Sequence, residues 1–295
     1  MNKVVKVSSK EQANCFDFFI SSEWKRIEDS NQYVVWRLKG KGVIAIAYSS
    51  GKILFQGSDT SSDWILVEEC LSSVLSKEKF QNHIGVDEAG KGDYFGPLVT
   101  AAAFVEEKNL EKLKGLGIMD SKKITDKKIA KIFDEIKDSL LFDVSILMPE
   151  EFNLLYKQYQ NINKLLASQH SLVIENLLTK LDSLGRDCDY VLIDQFSKNP
   201  MRVKGVLGVK GRDVEFRQMH GGEADIAVAM ASIVARYHFV QSMDKLSEKW
   251  NIEFPKGATD VVNVGKEFVA KYGVNNLTKV AKVNFKTTEQ VVKLF

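Results

Sequence analysis

The spacing of apolar positions changes along the chain, and the changes mark out its elements. Phe16, Phe19 and Ile20, with Cys15 beside them, share one face at helical spacing and predict a helix over residues 8–29. Three short runs rich in β-branched and aromatic residues follow, Tyr33–Leu38, Val43–Tyr48 and Ile53–Gln56. They are joined by Lys-Gly-Lys-Gly and Ser-Ser-Gly-Lys, both suited to tight turns. A second helix is expected from Ser61 or Ser62 to about Leu75. The polar stretch Ser76–Asn82 then separates this small α+β unit from a dense apolar strand. The domain boundary is placed there, giving residues 1–80 and 81–295.

Beyond the boundary, strands and helices interleave. His83–Asp87 and Leu98–Val105 read as strands, residues 107–115 and 125–138 as helices, and Leu140–Leu147 as a strand. A long helical region covers residues 149–183. Tyr190–Asp194 reads as a buried strand, Val203–Gly208 and Val214–Gln218 as extended, and Glu223–Lys249 as a long alanine-rich helix. The remainder is helical or irregular. This alternation argues for an α/β core with a largely covered sheet.

At 295 residues the chain has room for about two domains. Hydrophobic residues at 44% and charged residues at 27% are globular values. Lys plus Arg number 41 and Asp plus Glu 39, a net charge of +2 that excludes a histone-like or polybasic protein. It does not exclude nucleic-acid binding through one basic face. The three cysteines, Cys15, Cys70 and Cys188, form no zinc or disulfide pattern and fit a reducing compartment. The N-terminus has no apolar run of the secretory kind, and no stretch approaches the ~18 apolar residues of a membrane span. A cytoplasmic protein is expected. In the first unit, Lys39, Lys41 and Lys52 occupy turns, and Trp24, Trp36 and Trp64 stand among the aromatics. They fit either solvated turns over an aromatic core or a basic platform for a phosphate backbone.

The candidate chemistry lies at strand ends. Ile84-Gly-Val leads directly into Asp87 and Glu88, followed by glycines at 90, 92 and 96. Neighbours on a strand point to opposite faces, so a turn or bulge after Asp87 is expected to bring both acids to one site. Two close carboxylates repel unless a cation neutralises them, and Mg²⁺ prefers such oxygen ligands. Gly90-Lys91-Gly92 adds an approachable backbone and a positive charge, a cradle for phosphate. The plainer alternative is a glycine turn with solvated acids. Asp194 ends a second apolar run, where open α/β sheets bind ligands, or it is a turn residue. Glu223 and Asp225 follow His220-Gly-Gly at the head of the long helix, where acids also serve as ordinary caps. The histidines at 83, 170, 220 and 238 lack metal spacing and are read as structural. There is no nucleophile triad and no Walker motif.

Gly85–Val99, GVDEAGKGDYFGPLV, resembles the first motif of the type 2 ribonucleases H, and its Gly-Asp-Tyr-Phe-Gly-Pro variant resembles the HIII branch of that family. Asp120-Ser-Lys-Lys123, residues 159–178, residues 191–196, residues 221–237 and Phe254–Ala258 are similar to further family segments in the family's order. The first unit resembles that branch's TATA-box-binding-protein-like substrate domain by position. The resemblance implies an RNase H-like catalytic domain, a mixed sheet flanked by helices. It implies endonucleolytic cleavage of the RNA strand of RNA–DNA hybrids, leaving 5′-phosphate and 3′-hydroxyl ends, with the hybrid as partner; a monomer is the default expectation. It makes Asp87, Glu88 and Asp194 catalytic metal ligands for two divalent ions, Mg²⁺ or Mn²⁺, and Gly90, Lys91 and Gly92 substrate contacts. The fourth acid is expected to be Glu223, with Asp225 as the alternative, because the spacing to Ser232 departs from the family's pattern. Incision at single ribonucleotides, as in ribonuclease HII, and a non-catalytic hybrid-binding protein are the alternatives.

Overall fold

A computed structural model describes residues 2–58, 61–74, 80–118, 124–194, 201–219, 221–258 and 260–293, with the backbone alone at 74, 201, 202 and 223. The chain divides into two units, Met1–Phe80 and Gln81–Phe295, each with its own core.

The first unit comprises β1 (Asn2–Lys6), α1 (Ser9–Ser21), β2 (Lys25–Arg26), β3 (Val34–Lys39), β4 (Val43–Tyr48), β5 (Lys52–Gly57) and α2 (Asp63–Val74). The strands form one antiparallel sheet in the order β1-β5-β4-β3-β2. α1 starts at a capping box: Ser8 Oγ accepts from the Glu11 amide, and the Glu11 carboxylate accepts from the Ser8 amide. It stops at Ser21, short of the residue 29 expected from the pattern. Glu23 takes the left-handed conformation (φ 65°), which turns Trp24 into the core and frees Lys25–Arg26 to pair with β3. β1 was not evident in the sequence, since Asn2–Lys6 alternates only between exposed and half-buried positions at a sheet edge. Val5, Ile53, Ala47 and Trp36 form a cross-strand row beneath the helices. Trp24, Trp36 and Trp64 are all core residues. Lys6, Lys52 and Tyr48 form one row of the opposite face, and Val4, Leu54, Ile46 and Arg37 the next.

The second unit comprises β6 (His83–Ala89), β7 (Leu98–Val105), α3 (Glu107–Gly115), α4 (Asp126–Ile136), β8 (Leu141–Leu147), α5 (Pro149–Tyr159), α6 (Ile162–Ser183), β9 (Tyr190–Asp194), α7 (Met201–Lys204), α8 (Val209–Asp213), β10 (Glu215–Met219), α9 (Ile226–Trp250), α10 (Val261–Tyr272) and α11 (Thr287–Val292). Its sheet runs β10-β9-β6-β7-β8, with β10, β9 and β6 parallel and β7 and β8 antiparallel to their neighbours. α6 packs on one face and α9 on the other, so every residue of β7 is buried. A strand covered on both faces reads as an uninterrupted apolar run, as Leu98–Val105 does.

Three expectations need correction. The helical region 149–183 is two helices, because Gln160 is left-handed (φ 49°) and Asn161 caps α6 through the amides of Asn163 and Lys164. Residues 203–208 are not extended: Val203 and Leu207, four apart as on a helix face, are buried with α7 under α6. α9 begins at Ile226, after a 3₁₀ turn at Gly222–Ala224, rather than at Glu223. Asp120–Lys123, His220, residues 195–196 and most of the Ser76–Asn82 stretch lie outside the described residues.

Candidate active site

β6 places its two acids by ordinary alternation. Ile84 and Val86 join the core under α6, whereas Gly85 faces α9. A Cβ at Gly85 would lie 2.1 Å from the carbonyl carbon of Ala227, so α9 rests on the bare strand. The alternation continues through Asp87 and Glu88, which pair in regular register with Ala101 and Thr100. The expected turn or bulge after Asp87 is absent. Asp87 points to the α9 side and is hydrogen-bonded to Ser232, while Glu88 points to the α6 side and meets His170. Both reach one site nonetheless, because β9 pairs with β6 only as far as Val86 and leaves the strand end open.

Asp194 ends the adjacent β9 and accepts a hydrogen bond from the Gly222 amide at 3.0 Å. A Cβ at Gly222 would lie 3.0 Å from the Asp194 Cα, so the turn before α9 is pressed against this acid. That contact carries the Glu223 backbone to the site; its side chain lies outside the description. Asp87, Glu88 and Asp194 line one cavity of about 410 Å³ with Ile124, Ile129, Ser232 and Arg236.

Electrostatics distinguishes the acids. Burial, then the neighbouring Glu88 charge, pushes the Asp87 pKa up to about 7. Burial also opposes ionisation of Glu88, but His170 Nε2 at 3.3 Å and Lys91 Nζ at 3.5 Å hold its carboxyl below the usual range. Asp225 has other partners. It caps α9 through the amides of Ala227 (2.8 Å) and Val228 (3.1 Å), and His83 Nε2 lies 3.0 Å from its carboxylate. Arg236, at the cavity wall, is tethered to Asp126 at 2.9 Å, and Lys256 binds the same carboxylate.

The turn after β6 is built on glycine. Gly90 has φ +84°, and a Cβ there would lie 2.1 Å from the Pro97 carbonyl oxygen. At Gly92 a Cβ would meet no described atom within 4 Å, so that backbone is open to a ligand. Lys91 stands beside it, on Glu88.

The donor set suits a hard divalent cation: all oxygen, anionic, and with one carboxyl raised in pKa by burial and then by its anionic neighbour. Among the described residues, no three His, Cys, Asp or Glu side chains close tightly enough to hold a metal ion as they stand. The structure therefore brings Asp87, Glu88 and Asp194 to one cavity without completing a coordination shell. Spacing had left His170 structural and had given no role to Arg236. Spacing does not mark either: His170 meets Glu88 across 82 residues of sequence, and Arg236 meets Asp87 only where α9 packs on β6.

Comparison with known proteins gives a consistent picture. The Ribonuclease HII family profile matches residues 84–288, and a domain of unknown function matches residues 2–64. The ribonuclease HIII of Protochlamydia amoebophila is 35% identical, covering 88% of this chain and 87% of that protein. The ribonuclease HIII of Staphylococcus aureus is 34% identical over 88% of each. The crystal structure of Bst-RNase HIII in complex with Mn²⁺ superposes with a TM-score of 0.69 at 25% identity, covering 100% of this chain and 99% of that one. Aquifex aeolicus RNase H3 matches with a TM-score of 0.56 at 30% identity, covering 96% of this chain and 100% of that chain.

Proposed function

The chain belongs to the ribonuclease HII family, and from its likeness to ribonucleases HIII along nearly its whole length we infer an endoribonuclease that hydrolyses the RNA strand of RNA–DNA hybrids. The observation that carries this is the gathering of Asp87, Glu88 and Asp194 around one cavity at the open end of the sheet. The chemistry is that of a divalent-metal enzyme. Two divalent ions, Mg²⁺ or Mn²⁺, held by these carboxylates would supply charge neutralisation at the attacking and leaving oxygens.

The protein's own residues prepare that chemistry. Asp87, oriented by Ser232, would hold metal together with Glu88 and Asp194. His170 and Lys91 keep Glu88 ionised and ready to bind. Glu223 is the fourth acid, which the pressing of Gly222 on Asp194 supports. Asp225 is occupied as a helix cap and by His83. The open backbone at Gly92, with Gly90 and Lys91 beside it, meets the ribose, where the 2′-hydroxyl distinguishes RNA from DNA. Cleavage leaves 5′-phosphate and 3′-hydroxyl ends.

Residues 1–80 form the substrate-binding domain and residues 81–295 the catalytic domain. The sheet face opposite α1 and α2, with Lys6, Lys52, Lys39 and Arg37 around Tyr48, Ile44 and Ile46, is the platform for the hybrid backbone. The enzyme works as a cytoplasmic monomer; among the described residues no helix is long and apolar enough to cross a membrane. The test is cleavage of a full hybrid beside a duplex with one embedded ribonucleotide, in Mg²⁺. Cutting of the hybrid alone is expected, and robust cutting of the single-ribonucleotide duplex would favour an HII-type activity instead.

A further inference from the structure

Lys282 has no exposed surface, and burial pushes its pKa down to about 7. Its ammonium nitrogen lies 2.7 Å from the carbonyl oxygen of Gly96, 3.3 Å from that of Pro97 and 3.5 Å from that of Phe95. The Phe152 ring lies 5.7 Å away on another side. An ammonium has three donors, and burying it is costly unless they are used. Here they are spent on three consecutive carbonyls at the far end of the turn that begins at Gly90.

The backbone reinforces this grip. The Lys282 amide donates to the Tyr94 carbonyl at 2.8 Å, and the Gly96 amide to the Val280 carbonyl at 3.0 Å. The segment that carries Lys282 is itself anchored. Asn153 Nδ2 donates to the carbonyls of Thr278 (3.0 Å) and Ala281 (2.8 Å), and Asn153 Oδ1 accepts from the Val283 amide (3.0 Å). The hold extends to Gly90, whose backbone is pressed on the same Pro97 carbonyl oxygen that Lys282 binds.

We propose that Lys282 is a positioning residue for hybrid recognition, its three N–H bonds holding residues 90–97 in the conformation in which the Gly90–Gly92 backbone meets the substrate. The proposal rests on the reading of that glycine turn as a substrate contact. An apolar side chain of equal length would fill the space and leave three buried carbonyls without the donor they now share.

The test compares Lys282→Met, Lys282→Gln and the wild type as full chains. Loss of these bonds in Lys282→Met should raise KM for a hybrid about tenfold and change kcat less than about twofold. Hydrogen exchange over residues 90–97 should speed up in parallel. Mn²⁺ affinity, followed by titration calorimetry, should not change, because the acids on β6 and β9 are untouched. Lys282→Gln keeps an amide donor and should fall between Lys282→Met and the wild type. A role in packing alone reverses that order, since methionine fits the space better. Wild-type KM and exchange in Lys282→Met would overturn the proposal; if that variant does not fold, wild-type values in Lys282→Gln would do the same. Failure of the wild type itself to cut hybrid would defeat the underlying reading and leave the exchange data to judge the clamp.

Discussion

Two acids stand two residues apart at the head of α9, and their surroundings divide their work. Asp225 is held by two helix amides and by His83, whereas Glu223 follows a glycine pressed against Asp194. Glu223→Gln should therefore abolish cleavage at unchanged melting temperature. Asp225→Asn, which still caps, should remain active, and Asp225→Ala should lose about 1–2 kcal/mol of stability in urea unfolding. Loss of cleavage in Asp225→Asn beside an active Glu223→Gln would reverse the assignment. Asp87 gives a second prediction. Its folded pKa, about 7, lies above its ordinary value of 3.8, so the folded state keeps a proton that the unfolded chain releases. Its contribution to stability is fully present below pH ~4 and is lost as pH rises through ~7. In chelator, the wild type should thus lose stability between about pH 4 and pH 7 by an increment that Asp87→Asn lacks. Equal slopes in the two proteins would contradict the assigned environment.

The close seating of α9 on β6 brings the acids and Ser232 together. Gly85 leaves no room for a methyl group against Ala227, so Gly85→Ala must push α9 off the sheet. A loss of roughly 1–3 kcal/mol or more, with reduced cleavage, is expected from thermal unfolding and assay together. The strands that carry the acids were legible in the sequence because an apolar run ending in a carboxylate is a local pattern, as in Tyr190–Asp194. The break between α5 and α6 was not, because Gln160, which takes the left-handed conformation there, is not a residue type that marks one. The pairing of His170 with Glu88 and the grip of Lys282 on Gly96 are long-range contacts with no local signature. The open strand end that unites Asp87 and Glu88 depends on the register of β9 against β6, paired only as far as Val86, which periodicity does not encode.

Across the whole chain, the two units are proposed to supply different terms in the same reaction. If residues 1–80 supply backbone affinity that is the same in the ground and transition states, their deletion should raise KM for hybrid far more than it lowers kcat. The salt dependence of hybrid binding should become shallower in the deleted protein, since fewer phosphates are neutralised. An unchanged KM would reject the platform. The sequence left this unit's tryptophans open between core and platform; all three are core, and the proposed platform face emerges only from the register of five strands. The central claim is that Asp87 and its neighbours cut RNA in hybrids. It is tested most directly by cleavage of an end-labelled RNA–DNA hybrid in Mg²⁺ by the wild type and by Asp87→Asn. The account predicts cutting of the RNA strand by the wild type and none by the variant. Equal cutting by both, or none by the wild type in either Mg²⁺ or Mn²⁺, would contradict it.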